Sequence, residues 1–120
     1  MVLDDRARLG HMLDAARKAV SFCRGRSRAE LETTEMLSLS LVRLLEIVGE
    51  AAREVSSEYR TTHPTIPWKN IIGMRDRLVH GYFDINHDVV WETVTHDLPP
   101  LIAELEHLVS DQPPTSSAMT

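Results

Sequence analysis

Apolar residues recur three and four positions apart along most of the chain, and this spacing constrains the fold more than any other feature. An α-helix has 3.6 residues per turn, so side chains at that spacing form one apolar face. Residues 4–24 carry the first such series, which predicts an amphipathic helix with Asp4 or Asp5 as its N-cap and Gly25 at its end. The series consists of Leu9, Met12, Leu13, Ala16, Val20 and Cys23.

A second apolar series predicts a long helix from about Arg28 to Tyr59, with a break near Thr33 and Thr34. Gly49 lies inside this helix, where glycine costs about 1 kcal/mol relative to alanine. We therefore expect Gly49 to permit the close approach of another helix. The apolar members of the series are Leu37, Leu41, Leu44, Leu45, Val48, Ala52 and Val55.

A third helix is predicted after the two prolines of "THPTIPW". Pro67 suits the first turn of a helix, and Thr65 is a candidate cap. Apolar residues continue at helical spacing to Val79, and Gly81 is a natural stop. The third helix should therefore run from Pro67 to Gly81.

The last helix should begin after Asp84 or Asn86, either of which can cap it, and reach Leu108. Prolines at positions 99 and 100 remove two backbone donors inside it, which predicts a kink or a restart. The final stretch "SDQPPTSSAMT", residues 110–120, has the composition of a disordered tail.

The chain of 120 residues is long enough for one domain, and no segment alternates apolar and polar residues as a strand does. We expect residues 1–109 to form a single all-α domain. Its architecture should be an up-and-down bundle of four to five helices in which the last helix is kinked.

Composition excludes several classes of protein and site. A formal net charge of -5 argues against non-specific coating of nucleic acid. The single cysteine, Cys23, excludes an intramolecular disulfide and a cysteine-based zinc site, and its place on an apolar stripe predicts a buried, inert thiol. The histidines at positions 11, 63, 87, 96 and 107 show no metal-binding spacing, so we expect neither a metal nor a cofactor.

The location of the protein is predicted from two features. The start of the chain lacks a secretion signal, and no apolar run is long enough to span a bilayer. Together they predict a cytoplasmic protein without membrane contact.

The stretch "RDRLVHGY", residues 75–82, concentrates groups that can act on a phosphate. On a regular helix Asp76 and His80 would share one face, where a carboxylate–imidazole hydrogen bond can fix the histidine tautomer. Arg75 and His80 would lie about 140° apart on such a helix, so they converge only if His80 lies in a frayed last turn. An arginine and a histidine at this spacing are also common on ordinary surface helices, and His80 can equally be a partly buried structural residue.

Arginine and histidine together suit RNA cleavage. Histidine can take the proton of the 2′-hydroxyl or protonate the leaving 5′-oxygen, and arginine can hold phosphate oxygens and stabilise the charge that develops on them. No metal is required when the 2′-hydroxyl is the nucleophile. Lys69 and Arg77 lie near this stretch and are candidate RNA contacts, although a solvated surface is the simpler interpretation.

Three segments, "EIVGEAAREV", "IPWKNIIGMRDRLVHGYF" and "VVWETVTHDLPPLIAEL", resemble the HEPN superfamily and, more narrowly, its HepT-like toxin family. The likeness extends from about Leu9 to Leu108. The family signature is an arginine, a polar residue, three more residues, a histidine, one residue and a tyrosine. Arg75, His80 and Tyr82 match it, and Asp76 stands where asparagine is commoner.

The resemblance implies a metal-independent ribonuclease that acts as a homodimer, with the arginine and histidine of both subunits lining one cleft. It implies that Arg75 and His80 are catalytic and that Asp76 orients or assists them. It further implies a partner, a small nucleotidyltransferase antitoxin, which attaches AMP to Tyr82. From the residues themselves, apolar faces on every helix and the small-residue patch from Gly49 to Ala52 predict a symmetric dimer.

An alternative function belongs to another class of protein. In that interpretation the bundle is a non-catalytic interaction module that binds a nucleotidyltransferase or a nucleotide, and Arg75 and His80 only make contacts. The two tryptophans, and two glutamates of the second helix, have structural interpretations. Trp68 and Trp91 should be packing anchors, and Glu46 and Glu50, four positions apart, should belong to a solvated or interface face rather than form a carboxylate pair.

Overall fold

Helices account for 79% of residues 3–81 and 84–110, which are the residues that the computed structural model describes. A hairpin of two short antiparallel strands, β1 (Val79–His80) and β2 (Asp84–Ile85), interrupts them. The all-α bundle with a kinked last helix is confirmed. The helices are α1 (Leu3–Cys23), α2 (Glu30–Thr33), α3 (Glu35–Glu54), α4 (Ser57–Thr62), α5 (Trp68–Ile72), α6 (Arg75–Leu78), α7 (His87–Glu92) and α8 (Leu98–Ser110), with a π-helical turn (Thr93–Asp97) between the last two.

The core lies where α1 packs along α3 and α8. The apolar faces expected from the spacing are the faces that point inward, and burying each large aliphatic side chain contributes about 1.5–3 kcal/mol. Within the described residues, no helix is long and apolar enough to cross a membrane. Side chains with no more than 2% exposure include Leu9, Met12, Ala16, Leu41, Leu45, Val48, Val90, Leu98 and Leu105.

The two ends of α1 differ in how well the sequence predicted them. Gly25 follows the end of the helix with a φ of 76°, in the left-handed region that glycine favours, as expected. The predicted N-cap is wrong, because α1 already includes Leu3 and Asp5 lies inside its first turn. Asp5 is 3% exposed, and its carboxylate accepts hydrogen bonds from the backbone N–H and the hydroxyl of Ser56 at 2.8 and 2.7 Å.

The long second helix that the sequence predicted is divided into three. The expected break occurs at Thr34, whose backbone is non-helical (φ -121°, ψ 88°). A second break, which was not expected, occurs at Val55, whose backbone is extended, and the hydroxyl of Ser56 then caps α4 by accepting from the N–H of Tyr59 at 3.2 Å. The apolar pattern did not reveal this break, because Val55 at the break and Tyr59 beyond it are both buried and continue the apolar series.

Gly49 permits a close helix approach, as expected, and the approach is within the chain. A Cβ atom at this position would lie 3.0 Å from the carbonyl oxygen of Ile71 at the end of α5. Ala51 and Ala52 are 7% and 0% exposed in the core of the same chain. The small residues are therefore used inside the subunit, and the expectation that a second copy packs on them is wrong.

The last helical segment begins as predicted at Asn86, whose side chain accepts from the N–H of Val89 at 3.2 Å. The interruption is the π-helical turn, which lies directly before the two prolines. Pro99 and Pro100 are the second and third residues of α8 and supply no backbone N–H to the helical segment, which accompanies the departure from regular α-helix just before them. The predicted disordered tail lies outside the described residues from position 111 onward and stays a prediction.

Candidate active site

The segment that carries the candidate residues is not the single helix that the spacing predicted. Helix α5 ends at Ile72, α6 covers only four residues, and Val79 is extended (φ -138°, ψ 135°). The expected helix as far as Gly81 is therefore wrong. Strand pairing explains the difference, because Val79 lies opposite Ile85 in the hairpin.

The start of this segment also differs from the prediction. Thr65 does not cap α5, which begins directly after Pro67 without a side-chain cap. The hydroxyl of Thr65 instead donates to the carboxylate of Glu104 on α8. Trp68 is a packing anchor as expected, since it is buried and its Nε1–H donates to the carbonyl oxygen of His63 at 2.9 Å.

His80 lies on β1, opposite Asp84, and is exposed to solvent. Gly81 follows with a φ of 69°, a conformation that glycine favours. This glycine therefore lies in the turn of the hairpin and does not end a helix. Because His80 is on a strand, it does not share a helical face with Asp76. Among the described residues no hydrogen bond joins the two side chains, and the predicted carboxylate–imidazole pair is not formed.

Arg75 begins α6 and reaches across to α3. Its Nε–H donates to Oε2 of Glu46 at 3.1 Å, while 59% of the Arg75 side chain stays exposed. A cleft of about 110 Å³ lies beside this pair and is lined in part by Gly49 and Ile72. Sequence reasoning missed the contact with Glu46. One feature of the sequence could have predicted this contact. Glu46 lies one turn before Gly49, and Gly49 is where another helix comes close to α3.

Arg77 points away from Arg75, as residues two apart on a helix do. Its Nη2 donates to the backbone carbonyl of Asn70 at 3.2 Å, and it borders a separate cleft of about 300 Å³ whose floor includes Ile71 and Leu98. Lys69 is exposed on α5. The basic residues that are neighbours in the sequence are thus divided between different sides of the α5–α6 segment.

Tyr82, the candidate acceptor of AMP, lies outside the described residues, so its role stays a prediction. The two described residues that flank this gap, Gly81 and Asp84, are both exposed.

Cys23 is buried as predicted, and burial raises the pKa of its thiol, an effect that the nearby positive charge of Arg26 opposes. The thiol is therefore protonated at neutral pH and a poor nucleophile. Over the part of the chain that the structure describes, no three His, Cys, Asp or Glu side chains are grouped closely enough to hold a metal ion.

Arg75 and His80 are each exposed, so a guanidinium on α6 and an imidazole on β1 both face solvent. The guanidinium of Arg75 uses its Nε–H on Glu46 and makes no other hydrogen bond within the described chain, so its two terminal nitrogens can bind an anion. An imidazole can act as a general acid or base, and a guanidinium can bind phosphate oxygens, so the two groups together suit chemistry on a phosphate.

Known proteins match most of the chain. It is 34% identical over 104 residues to the protein of Caldanaerobacter subterraneus subsp. tengcongensis named "Putative RNase TTE0752". The matched residues cover 87% of this chain and 93% of that protein. It is 33% identical over 103 residues to "Putative RNase MJ1380" of Methanocaldococcus jannaschii, covering 86% and 94% of the two chains. A "Probable ribonuclease HepT" of Thermococcus cleftensis is 41% identical over 69 residues, 58% of this chain and 63% of that protein.

No solved structure matches the chain with significance. The family described as "Ribonuclease HepT-like" matches residues 12–108, a range that includes α3, Arg75 and His80. The resemblance seen in the signature is thereby confirmed over nearly the whole helical domain. The chain belongs to the HepT-like ribonuclease family.

Proposed function

We propose that this chain is a metal-independent endoribonuclease toxin that cleaves RNA with Arg75 and His80. One observation carries the proposal: both side chains are exposed, five positions apart, in a segment that matches a ribonuclease family. Two of the relatives are named "Putative RNase TTE0752" and "Probable ribonuclease HepT", and these names support RNA as the substrate. The side chain of Arg75 is 59% exposed and its terminal nitrogens make no hydrogen bond within the described residues, so they can supply the phosphate-binding group that the reaction needs.

In the proposed reaction the neutral imidazole of His80 takes the proton of a 2′-hydroxyl, and the 2′-oxygen attacks the adjacent phosphorus. The bond from phosphorus to the 5′-oxygen breaks, and the leaving oxygen takes a proton from a second, protonated imidazole, the partner subunit's His80. Arg75 stabilises the negative charge on the non-bridging oxygens. The products are a 2′,3′-cyclic phosphate and a free 5′-hydroxyl.

The second imidazole requires a homodimer, and the exposed face of α3 supports one. Met36 and Leu39 are large apolar side chains that are 77% and 54% exposed. They lie on the same helical face as Glu46, which contacts Arg75. A second copy docked symmetrically on this face would bury both side chains and bring two Arg75–His80 pairs to one groove.

The other candidate residues have supporting roles in the proposal. Asp76 is exposed next to Arg75 in the sequence, and it makes no hydrogen bond to an imidazole among the described residues of its own chain. In the proposal its carboxylate assists by orienting an imidazole across the dimer groove. Lys69 is an exposed cation that can contact the RNA backbone away from the cut. Arg77, on the opposite side of α6, serves the same purpose at a more distant phosphate.

Regulation completes the proposal. A cognate small nucleotidyltransferase would act as antitoxin by attaching AMP to Tyr82, two positions after His80. The phosphodiester formed in this way is anionic, so it would pair with Arg75 and occupy the place of an RNA phosphate. Cleavage would be blocked by occlusion, without unfolding.

Cleavage of RNA in the presence of EDTA tests the catalytic proposal. We expect cleavage to leave a 2′,3′-cyclic phosphate or its hydrolysis product. His80→Ala should reduce the rate by about 10²–10⁴-fold, the usual contribution of a general acid or base. Arg75→Ala should reduce it by about 10²–10³-fold, the usual cost of losing one charge-stabilising donor.

His11→Ala is the matched control, because His11 is an exposed histidine on α1, far along the chain from α6. It should leave the rate unchanged, and circular dichroism should show all three variants folded. Full activity in His80→Ala would exclude the motif from the mechanism, and an absolute requirement for a divalent metal would exclude attack by the 2′-hydroxyl in this form. Binding of a nucleotidyltransferase without any RNA cleavage would favour the non-catalytic interaction module.

A further inference from the structure

The contact between Glu46 and Arg75 is the best-supported feature of the site that the proposed mechanism does not yet use. It joins side chains 29 positions apart, from Nε of Arg75 to Oε2 of Glu46 at 3.1 Å. The Glu46 side chain is only 19% exposed, whereas that of Arg75 is 59% exposed. The more buried partner is thus the carboxylate on the long helix, and the more exposed partner is the arginine on a four-residue helix.

The packing around Glu46 fixes its position. Glu46 follows Leu45, which is fully buried, and precedes the close contact of Gly49 with the carbonyl oxygen of Ile71 by one turn. That contact sets the distance between α3 and the segment that carries Arg75. The other carboxylate oxygen of Glu46 lies 3.6 Å from Nη1 of Arg43, so the carboxylate has a cation on each side.

The geometry of the guanidinium decides what this contact does. Arginine has one donor edge that includes Nε and another formed by its two terminal nitrogens, and either can hold two oxygens of a phosphate. Glu46 occupies Nε and leaves the terminal edge without a hydrogen bond in the described structure. A carboxylate at Nε therefore orients the plane of the group without filling the edge that an RNA phosphate would take.

We infer that Glu46 is a positioning residue, which holds the Arg75 guanidinium so that its terminal edge faces the scissile phosphate. This inference rests on the proposed ribonuclease function. An unheld arginine side chain must lose rotamer freedom when the phosphate binds or reaches its transition state, and Glu46 removes part of that cost in advance. Glu46 acts through Arg75 and contacts no reacting atom.

The kinetic test compares Glu46→Ala with Glu46→Gln. Glu46→Ala should lower kcat for a short RNA by about ten- to a hundredfold, the usual cost of a misplaced catalytic group, with a smaller change in KM. Glu46→Gln should recover most of kcat, because its amide oxygen still accepts the Nε–H of Arg75. Glu50→Ala is the matched control. Glu50 lies one turn further on α3 and pairs with Arg43 at 3.5 Å, and among the described residues it forms no hydrogen bond or ion pair with Arg75.

A double variant separates positioning from a general effect of charge or stability. Once Arg75→Lys has removed the Nε–H, adding Glu46→Ala should reduce kcat no further. Independent losses that multiply in the double variant would overturn the inference, and so would equal kcat values for Glu46→Ala and the Glu50→Ala control.

Nuclear magnetic resonance of the arginine Nε–H groups tests the contact without any catalysis. The Arg75 Nε–H signal, assigned by its absence in Arg75→Lys, should exchange slowly with water in the wild-type protein and in Glu50→Ala, and fast in Glu46→Ala. Wild-type protein that shows the slow signal but cleaves no RNA would overturn the proposed function and leave the contact standing. Active wild-type protein whose Arg75 signal is unaffected by Glu46→Ala would overturn the positioning role alone.

Discussion

At the scale of single residues, the two tyrosines of the chain have different prospects as acceptors of AMP. Tyr59 is 8% exposed, and its ring stacks on that of His63 with centroids 3.9 Å apart. Burial and the nearby negative charge of Asp5 raise the pKa of the Tyr59 phenol. Most of the Tyr59 side chain is packed in the core, which makes it a poorer candidate acceptor than Tyr82.

Mass spectrometry after incubation with the cognate transferase, ATP and magnesium tests this assignment. The wild-type mass should rise by one or more AMP units that map to Tyr82, and RNA cleavage should stop. Tyr82→Phe should resist modification and keep at least part of its nuclease activity, because no proposed chemical step uses that hydroxyl. Tyr59→Phe is the matched control and should still be modified. An adduct at Tyr59, or inactivation of the Tyr82→Phe variant, would contradict the assignment.

At the scale of secondary-structure elements, the site depends on how closely α5 approaches α3. The carbonyl oxygen of Ile71 lies where a Cβ of residue 49 would meet it at 3.0 Å, so only glycine fits without movement. Arg75 follows four residues later and reaches Glu46 on the same face of α3. The close contact at Gly49 therefore sets the geometry of the candidate catalytic arginine.

Gly49→Ala should consequently lower the free energy of unfolding by about 1–3 kcal/mol, as overpacking of a tight contact usually does. It should also reduce RNA cleavage, because α5 must move away and carry Arg75 with it. Gly10→Ala on α1 is the control, since a Cβ there meets nothing within 4 Å. That variant should be unchanged or more stable by about 0.4–1 kcal/mol. Urea denaturation measures both values, and equal stability of the two variants would contradict the role of Gly49.

At the scale of the whole molecule, the proposed dimer reconciles an acidic chain with an RNA substrate. The formal net charge is -5, yet a shared groove would combine the Arg75 side chains of two subunits and concentrate positive charge locally. The surface best suited to the contact is the exposed face of α3 that carries Met36 and Leu39. The small residues near Gly49 are not available for it, because they are buried within the subunit.

Light scattering of the purified protein at micromolar concentration should therefore give the mass of a dimer. Leu39→Glu should convert it to a monomer, because a charge buried in an apolar contact without a partner is costly, and RNA cleavage should fall by at least about tenfold with the loss of the second imidazole. Ser57→Glu is the control, as it adds the same charge at an exposed position on α4. A wild-type monomer that cleaves RNA fully, or a Leu39→Glu dimer, would contradict the proposal.

The sequence by itself determined the helical class, the inward faces of α1 and α3, the end of α1 near Gly25 and the close approach at Gly49. These features follow from local spacing and from two properties of glycine, the positive φ that it adopts at Gly25 and the missing Cβ at Gly49. The signature from Arg75 to Tyr82 likewise indicated the family that the comparison then confirmed.

Only the tertiary structure decided the surroundings of the candidate catalytic residues. His80 is on a strand because β1 pairs with β2, and a partner strand outweighs a local helical pattern over two residues. Glu46 reaches Arg75 because packing at Gly49 brings together residues 29 positions apart. Such contacts depend on how elements pack, and helical periodicity records which face is buried without recording what that face meets.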